Sequence, residues 1–281
     1  MIRLARDRSA RSVHAGFRGR HREAKMLALL DGHLKGDVRF KDSWKVAKDQ
    51  LKADSFGKCA YCEAATSVVA HGDVEHFRPK SSYWWLAYCY DNYVFACQIC
   101  NQVYKADRFP VHGAPMSHPP IPGGAAALTK DERRAIAARL APDPLNDAEG
   151  HPRAEFLRAA AREKAGLVDP YLDDPEPLFK WVVDPIQRQV AIAARHPRRV
   201  ASRRAFEAAE SCLGLNRVEL LRLRHVQYAY LETYRLVLDS GRLSGDLLRD
   251  VEARVRSMIA PEAEFSGMCR YFARDEWKLV L

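Results

Sequence analysis

Apolar residues recur at helical spacing over several stretches, and no uncharged run is both long and apolar enough to cross a membrane. From His21 to Leu34, the side chains of Met26, Leu27, Leu29, Leu30 and Leu34 share one broad face, which predicts a helix. A second helix is expected over Ser43–Leu51 with Ser43 as its N-cap, and a third over Lys130–Leu140 capped by Thr129. Val200–Leu213 and Arg217–Ser240 carry the same period and end at Gly214 and Gly241, and Gly245–Ile259 follows as a further helix. Residues 1–20 are rich in Arg and Ser, lack a period, and read as poorly or conditionally ordered. The longest stretch without Asp, Glu, Lys or Arg, Phe109–Thr129, is broken by prolines and glycines and reads as loop.

Composition narrows the class. At 281 residues with 47% apolar and 29% charged positions, the chain can bury a core and is not a disordered segment. The start, Met1-Ile2-Arg3-Leu4-Ala5-Arg6, has no apolar h-region, so a cytoplasmic protein is expected. The seven cysteines then read as metal ligands or buried thiols rather than disulfides. Of the net charge of +9, residues 1–58 carry +8. A basic segment ahead of a neutral body points to a polyanion, nucleic acid first, or to a solvated arm. Arg195, Arg198, Arg199, Arg203 and Arg204 form a second basic cluster, read mainly as a solvated helix face.

The chemistry gathers in residues 59–112. Cys59-Ala60-Tyr61-Cys62 and Cys97-Gln98-Ile99-Cys100 offer four thiolates, the supply of one tetrahedral structural zinc. The 34 residues between the pairs must fold as a small subdomain. Cys89, Cys212 and Cys269 are expected to be small buried side chains. Between the pairs, Glu75-His76 sets a carboxylate beside an imidazole, and Asn101 follows the last zinc thiolate. A helix beginning near Gln98 would put Asn101 and Lys105 on one face, anchored by zinc against the hairpin that carries His76. A neutral imidazole can activate water, and hard carboxylate and amide oxygens suit Mg²⁺ or Mn²⁺, so metal-dependent phosphodiester hydrolysis fits. Arg78 and Lys105 are candidate phosphate contacts. Trp84, Trp85, Tyr88 and Tyr90 read as local core; His71, His112 and His118 receive no role.

The arrangement CxxCE, DVEHFRPK, N-x4-C-x2-CN-x3-K over residues 57–110 resembles the HNH endonucleases of the ββα-metal class. The EHFRPK wording and the insert Tyr83-Trp84-Trp85-Leu86-Ala87-Tyr88 resemble the PtuB nuclease subunit of Septu-type prokaryotic anti-phage systems and related retron-associated HNH proteins. Weaker likeness lies at Asp169–Pro175 and Gly214–Arg217. The resemblance implies an α+β fold, mostly α, in which a zinc-stapled ββα-metal (HNH) subdomain is embedded in a helical body. The expected organisation is a basic helical segment at 1–56, the nuclease core at 57–112, a Pro/Gly linker at 113–128 and a helical, partner-docking region at 129–281. It further implies His76 as general base, Glu75 and Asn101 as ligands of one Mg²⁺ or Mn²⁺, and Asn92 as the residue that braces the loop and orients the base. Glu75 stands where the family usually has Asp, so Asp73 is a candidate to share the ion. The implied partners are nucleic acid, DNA before RNA, an SMC/ABC-like (PtuA-like) ATPase, and a retron msDNA complex. Two other readings stay open: a zinc-stabilised nucleic-acid-binding or adaptor module without catalysis, and a thiol redox protein.

Overall fold

The computed structural model describes residues 1–66, 72–122, 128–145 and 153–280, so His71 lies outside the described residues. Eight α-helices and two antiparallel hairpins are described, in a mostly helical α+β arrangement. Helix α1 (Gly19–Leu34) buries Met26, Leu29 and Leu30 and packs on α3 (Lys130–Arg139), whose N-terminus is capped by Thr129, as expected, in a capping box that Glu132 completes. The second helix starts later than expected. A 3-10 turn (Lys45–Ala47) runs into α2 (Lys48–Asp54), and Ser43 lies ahead of both without capping either. No described helix is long and apolar enough to cross a membrane.

Strand β1 (Asp73–His76) pairs with β2 (Tyr93–Ala96), with Glu75 opposite Val94 and His76 opposite Tyr93. This hairpin is the wall between two cores. Tyr93 and Phe95 face the core built by α1, α2 and the aromatic segment around Trp85, Tyr88 and Tyr90. Val94 and Ala96 face the core built by the four cysteines and the C-terminal half. Alternate side chains of a strand point to opposite faces, so a strand with a core on each side is apolar throughout, as Tyr93–Ala96 is. Cys89, Cys212 and Cys269 are buried thiols, as expected.

The C-terminal half adds α4 (Arg153–Glu163), a second hairpin of β3 (Phe179–Asp184) and β4 (Gln189–Ala194), and helices α5 (Val200–Leu213), α6 (Val218–Asp239), α7 (Gly245–Ile259) and α8 (Ser266–Arg270). The hairpin departs from the reading of this half as a helical region, and α4 adds a helix to those expected. The strands alternate buried and open positions, and Asp184 accepts from the backbone of Ile186 and Gln187 to turn the chain. Gly214 ends α5 in the left-handed region with φ +55, and a Cβ there would meet the Tyr104 ring at 2.2 Å, so two requirements converge on glycine.

The first twenty residues are part of these cores, which corrects the expectation of poor order. Met1, Ile2 and Leu4 enter one core, and Val13 and Phe17 the other. Isolated apolar residues fill separate pockets, so no period marks them. Several N-terminal cations are likewise internal. Arg6 donates to the Tyr93 carbonyl at 2.6 Å and lies 3.9 Å over the Tyr171 ring; Arg8 pairs with Asp91; Arg22 reaches the carbonyls of Ala138 and Ala141. The basic bias of this segment is therefore in part structural. Arg195, from the second cluster, is held by Asp275 at 2.9 Å.

A buried ion pair ties the first hairpin to α4. Arg78 Nε donates to Glu163 Oε2 at 2.7 Å, while Glu163 Oε1 accepts from Tyr83 Oη and the Met116 amide. Removing one member leaves the other charge buried and uncompensated. Glu163→Gln is expected to cost about 3–5 kcal/mol of unfolding free energy. Urea titration checks it, and a loss below about 1 kcal/mol, the level of an exposed pair, would reject this role.

Candidate functional site

The four paired cysteines are brought together. Cys59 and Cys62 sit in a tight knuckle closed by the Lys58–Ala65 bridge, with the Cys59 amide donating to Ala64. The Ala60 amide donates to the Phe95 carbonyl and so fastens the knuckle to β2. Cys97 follows β2 directly, and Cys100 lies in the first turn of a π-helix (Ile99–Lys105). The four buried sulfurs lie within 4.8 Å of one another, and Cys62 and Cys97 Sγ are 3.9 Å apart. Four sulfurs each ~2.3 Å from a tetrahedral zinc stand ~3.8 Å apart, so the donor set fits the ion. This is the sole such cluster of Cys, His and carboxylates among the described residues.

The sequence reading missed the cations around this cluster. Arg217 Nη1 approaches Cys100 Sγ at 3.5 Å, and the thiolates keep its guanidinium protonated although burial opposes it. Arg224 is buried nearby, pulled down to about 10 by burial, with Cys62 and Glu63 opposing. A zinc ion with four thiolates carries a net negative charge, and these arginines answer it. The Gly214–Arg217 phrase was the signal available in sequence.

Around His76 the hairpin and the π-helix form one unit. Gln102 Nε2 donates to Asp73 Oδ2 at 2.9 Å, and Lys105 donates to the His76 carbonyl at 3.0 Å and pairs with Glu75. Asn101 lies one turn before Lys105 on the same side of the helix, is partly open, and makes no side-chain hydrogen bond among the described residues. The helix is wound i to i+5, with the Ala106 amide donating to the Asn101 carbonyl at 2.7 Å, a local winding frequent at functional sites.

The His76 ring is wedged edge-on between Trp44, at 4.9 Å, and Tyr93, at 5.1 Å. Its Nε2 is 2.9 Å from the Ala87 carbonyl. A carbonyl only accepts, so Nε2 carries the proton and Nδ1 keeps the lone pair. Burial lowers the imidazole to about 4, with Lys80 and Lys105 also disfavouring the cation, so the ring is neutral at pH 7. Asn92 accepts from the Arg78 amide and donates to the Arg78 carbonyl, both at 2.9 Å, pinning the chain just beyond His76. Burial pushes Glu75 up to about 7 against the pull of Lys105.

Glu75, His76 and Lys105 thus meet where hairpin and helix touch, Asn92 braces the chain next to them through Arg78, and Asn101 stands on the same helix as Lys105. The two proposed phosphate contacts do not keep that role in this arrangement. Arg78 is 2% exposed and bound to Glu163, and Lys105 is 0% exposed and bound to Glu75. Asp73 is partly open and held by Gln102. Trp85, Tyr88 and Tyr90 are core, as expected, and Trp84 stacks on His33.

No family profile matches the chain, and no solved structure matches it. Among curated proteins, it is similar to the Septu protein PtuB of Bacillus mycoides (strain KBAB4), at 36% identity over 77 residues. That match covers 23% of this chain and 26% of the relative, so the chain spans about a quarter of the relative's length.

Proposed function

We propose that this chain is a metal-dependent endonuclease of the HNH (ββα-metal) type, the effector of a prokaryotic anti-phage system. One observation carries the reading. A neutral His76 with a free Nδ1 stands beside a buried carboxylate on a hairpin that four cysteines fasten to the helix bearing Asn101. The Ala87 carbonyl holds the imidazole at Nε2, and Asn92 pins the backbone of Arg78 just beyond His76, so the local geometry is set before substrate arrives. Nδ1 then takes the proton from the attacking water.

Glu75 and Asn101 are the residues that would hold Mg²⁺ or Mn²⁺, since both present hard oxygens. The ion, when bound, supplies charge stabilisation for the phosphate and the leaving oxygen. The likeness to a Septu protein supports an assignment to phage defence and, with it, an SMC/ABC-like ATPase partner held on the helical half. DNA is the favoured substrate over RNA.

The burial of His76 and the engagement of Lys105 favour a second reading, a zinc-stabilised binding module without catalysis. Calorimetric titration of Mn²⁺ into the zinc-loaded protein separates the two. The nuclease reading expects one further site, weakened at least ~10-fold in Glu75→Gln by loss of a charged ligand. A titration without a second site would leave the binding module as the better account. Incubation with plasmid DNA and with tRNA, alone and with the ATPase, names the polymer. Cleavage of neither, with the partner present, would count against the nuclease.

A further inference from the structure

We propose that Lys80 receives the nucleic-acid backbone at the candidate site, its ammonium holding a phosphate of the bound strand next to His76. The inference deepens the nuclease reading and rests on it.

The other two cations of the site are engaged. Arg78 is bound to Glu163 and Lys105 to Glu75, both inside the protein. Lys80 is partly open, and its ammonium makes no hydrogen bond or ion pair among the described residues. Its Nζ lies 5.3 Å from the centre of the Trp44 ring, and that ring stands 4.9 Å from the His76 ring. One indole thus lies against both the ammonium and the imidazole. Lys80 also shares with Lys105 an electrostatic effect on both Glu75 and His76, as a charge close to both must.

Both sides of this arrangement are anchored. Asn92 fixes the amide and the carbonyl of Arg78, and the Pro79 carbonyl accepts from the Ser82 and Tyr83 amides. The turn that launches the Lys80 side chain is therefore set. On the Trp44 side, the Lys41 amide donates to Tyr88 Oη at 2.8 Å, and Tyr88 Oη donates to the Lys41 carbonyl at 3.2 Å. Tyr88 follows Ala87, whose carbonyl holds His76. A cation–π contact is weaker than a charged hydrogen bond, so an arriving phosphate takes the ammonium while the indole guides its stem. A contact of this kind positions the strand and reads no base.

Two readouts on the zinc-loaded full chain test the assignment, with a short DNA duplex as probe. Fluorescence anisotropy without Mg²⁺ or Mn²⁺ measures binding over a range of salt concentrations. Single-turnover cleavage with Mn²⁺, the proposed ATPase partner present if the lone chain is silent, tests the nuclease reading separately. Lys80→Ala is expected to weaken binding about 10-fold, the scale of a lost charged hydrogen bond. The slope of log affinity against log salt should fall by ~0.9, the share of one phosphate. Lys80→Arg should restore both, since the charge returns. A parent that cleaves, beside a Lys80→Ala variant with the parent's affinity and slope, would overturn the contact and leave the nuclease standing. Weaker binding at an unchanged slope, with a lowered melting temperature, would make Lys80 a packing partner of Trp44 and overturn it too. Lys80-dependent binding without any cleavage would uphold the contact and count against the nuclease. A parent that neither binds nor cleaves would overturn both.

Discussion

Replacing His76 by alanine is expected to slow phosphodiester cleavage by about 10²–10⁴-fold, the usual contribution of a positioned general base. The structure gives this number its basis. His76 is neutral at working pH, its Nε2 proton is committed to the Ala87 carbonyl, and Nδ1 is the basic atom left. Alanine removes that atom and leaves the four cysteines untouched. Zinc content should stay at one ion per chain, and the far-ultraviolet spectrum should not change. Cleavage of plasmid or tRNA would be followed under single turnover with Mn²⁺, with the proposed ATPase partner present if the lone chain is silent. A variant that loses cleavage together with zinc would show a structural lesion rather than a lost base. A zinc-loaded variant that cleaves at the parent rate would sink the assignment of His76.

The second large effect is on stability. Cys97→Ser is expected to abolish zinc binding and to lower the melting temperature by about 10 °C or more. Cys97 joins the end of β2 to the start of the π-helix, so its sulfur is where the metal would clamp strand to helix. Zinc contributes ~10–16 kcal/mol to small zinc-dependent folds at pH 7, comparable with a domain's whole net stability of ~5–15 kcal/mol. The surrounding cores retain part of the structure here, so several kcal/mol is the expected loss, at about 2–4 °C per kcal/mol for a chain of this size. Metal analysis and thermal unfolding of parent, variant and chelator-treated parent make the test. Parent protein without zinc, carrying thiols of the two pairs that react readily, would replace the metal centre with the redox reading.

The helices and the site were legible in the sequence to different depths. Thr129–Glu132, Gly214 and the period of Val200–Leu213 are local signals, and a local signal acts through backbone geometry within a few residues. The two cysteine pairs declare their chemistry because zinc demands thiolates at fixed spacing. Glu75 and His76 were named from their place between those pairs, Asn101 from its place directly after the second, and Asn92 from the family resemblance; all four lie on the hairpin, its flanking turn or the adjoining helix.

What a cation is for could not be read in this way. Arg78 and Lys105 look like phosphate contacts in sequence, yet Glu163 and Glu75 hold them inside. Glu163 is 85 residues from Arg78, and Arg217 is 117 from Cys100. The same holds for Met1, Ile2 and Leu4, which show no period and still fill a core. By itself, the sequence singled out the four cysteines that cluster, the adjacent Glu75 and His76, and most helix boundaries, all of which depend on residue type and short spacing. The tertiary structure alone decided which charges are paired, which imidazole nitrogen is free and which face is closed to solvent. Burial and charge pairing depend on what the rest of the chain brings close, and no local pattern encodes that.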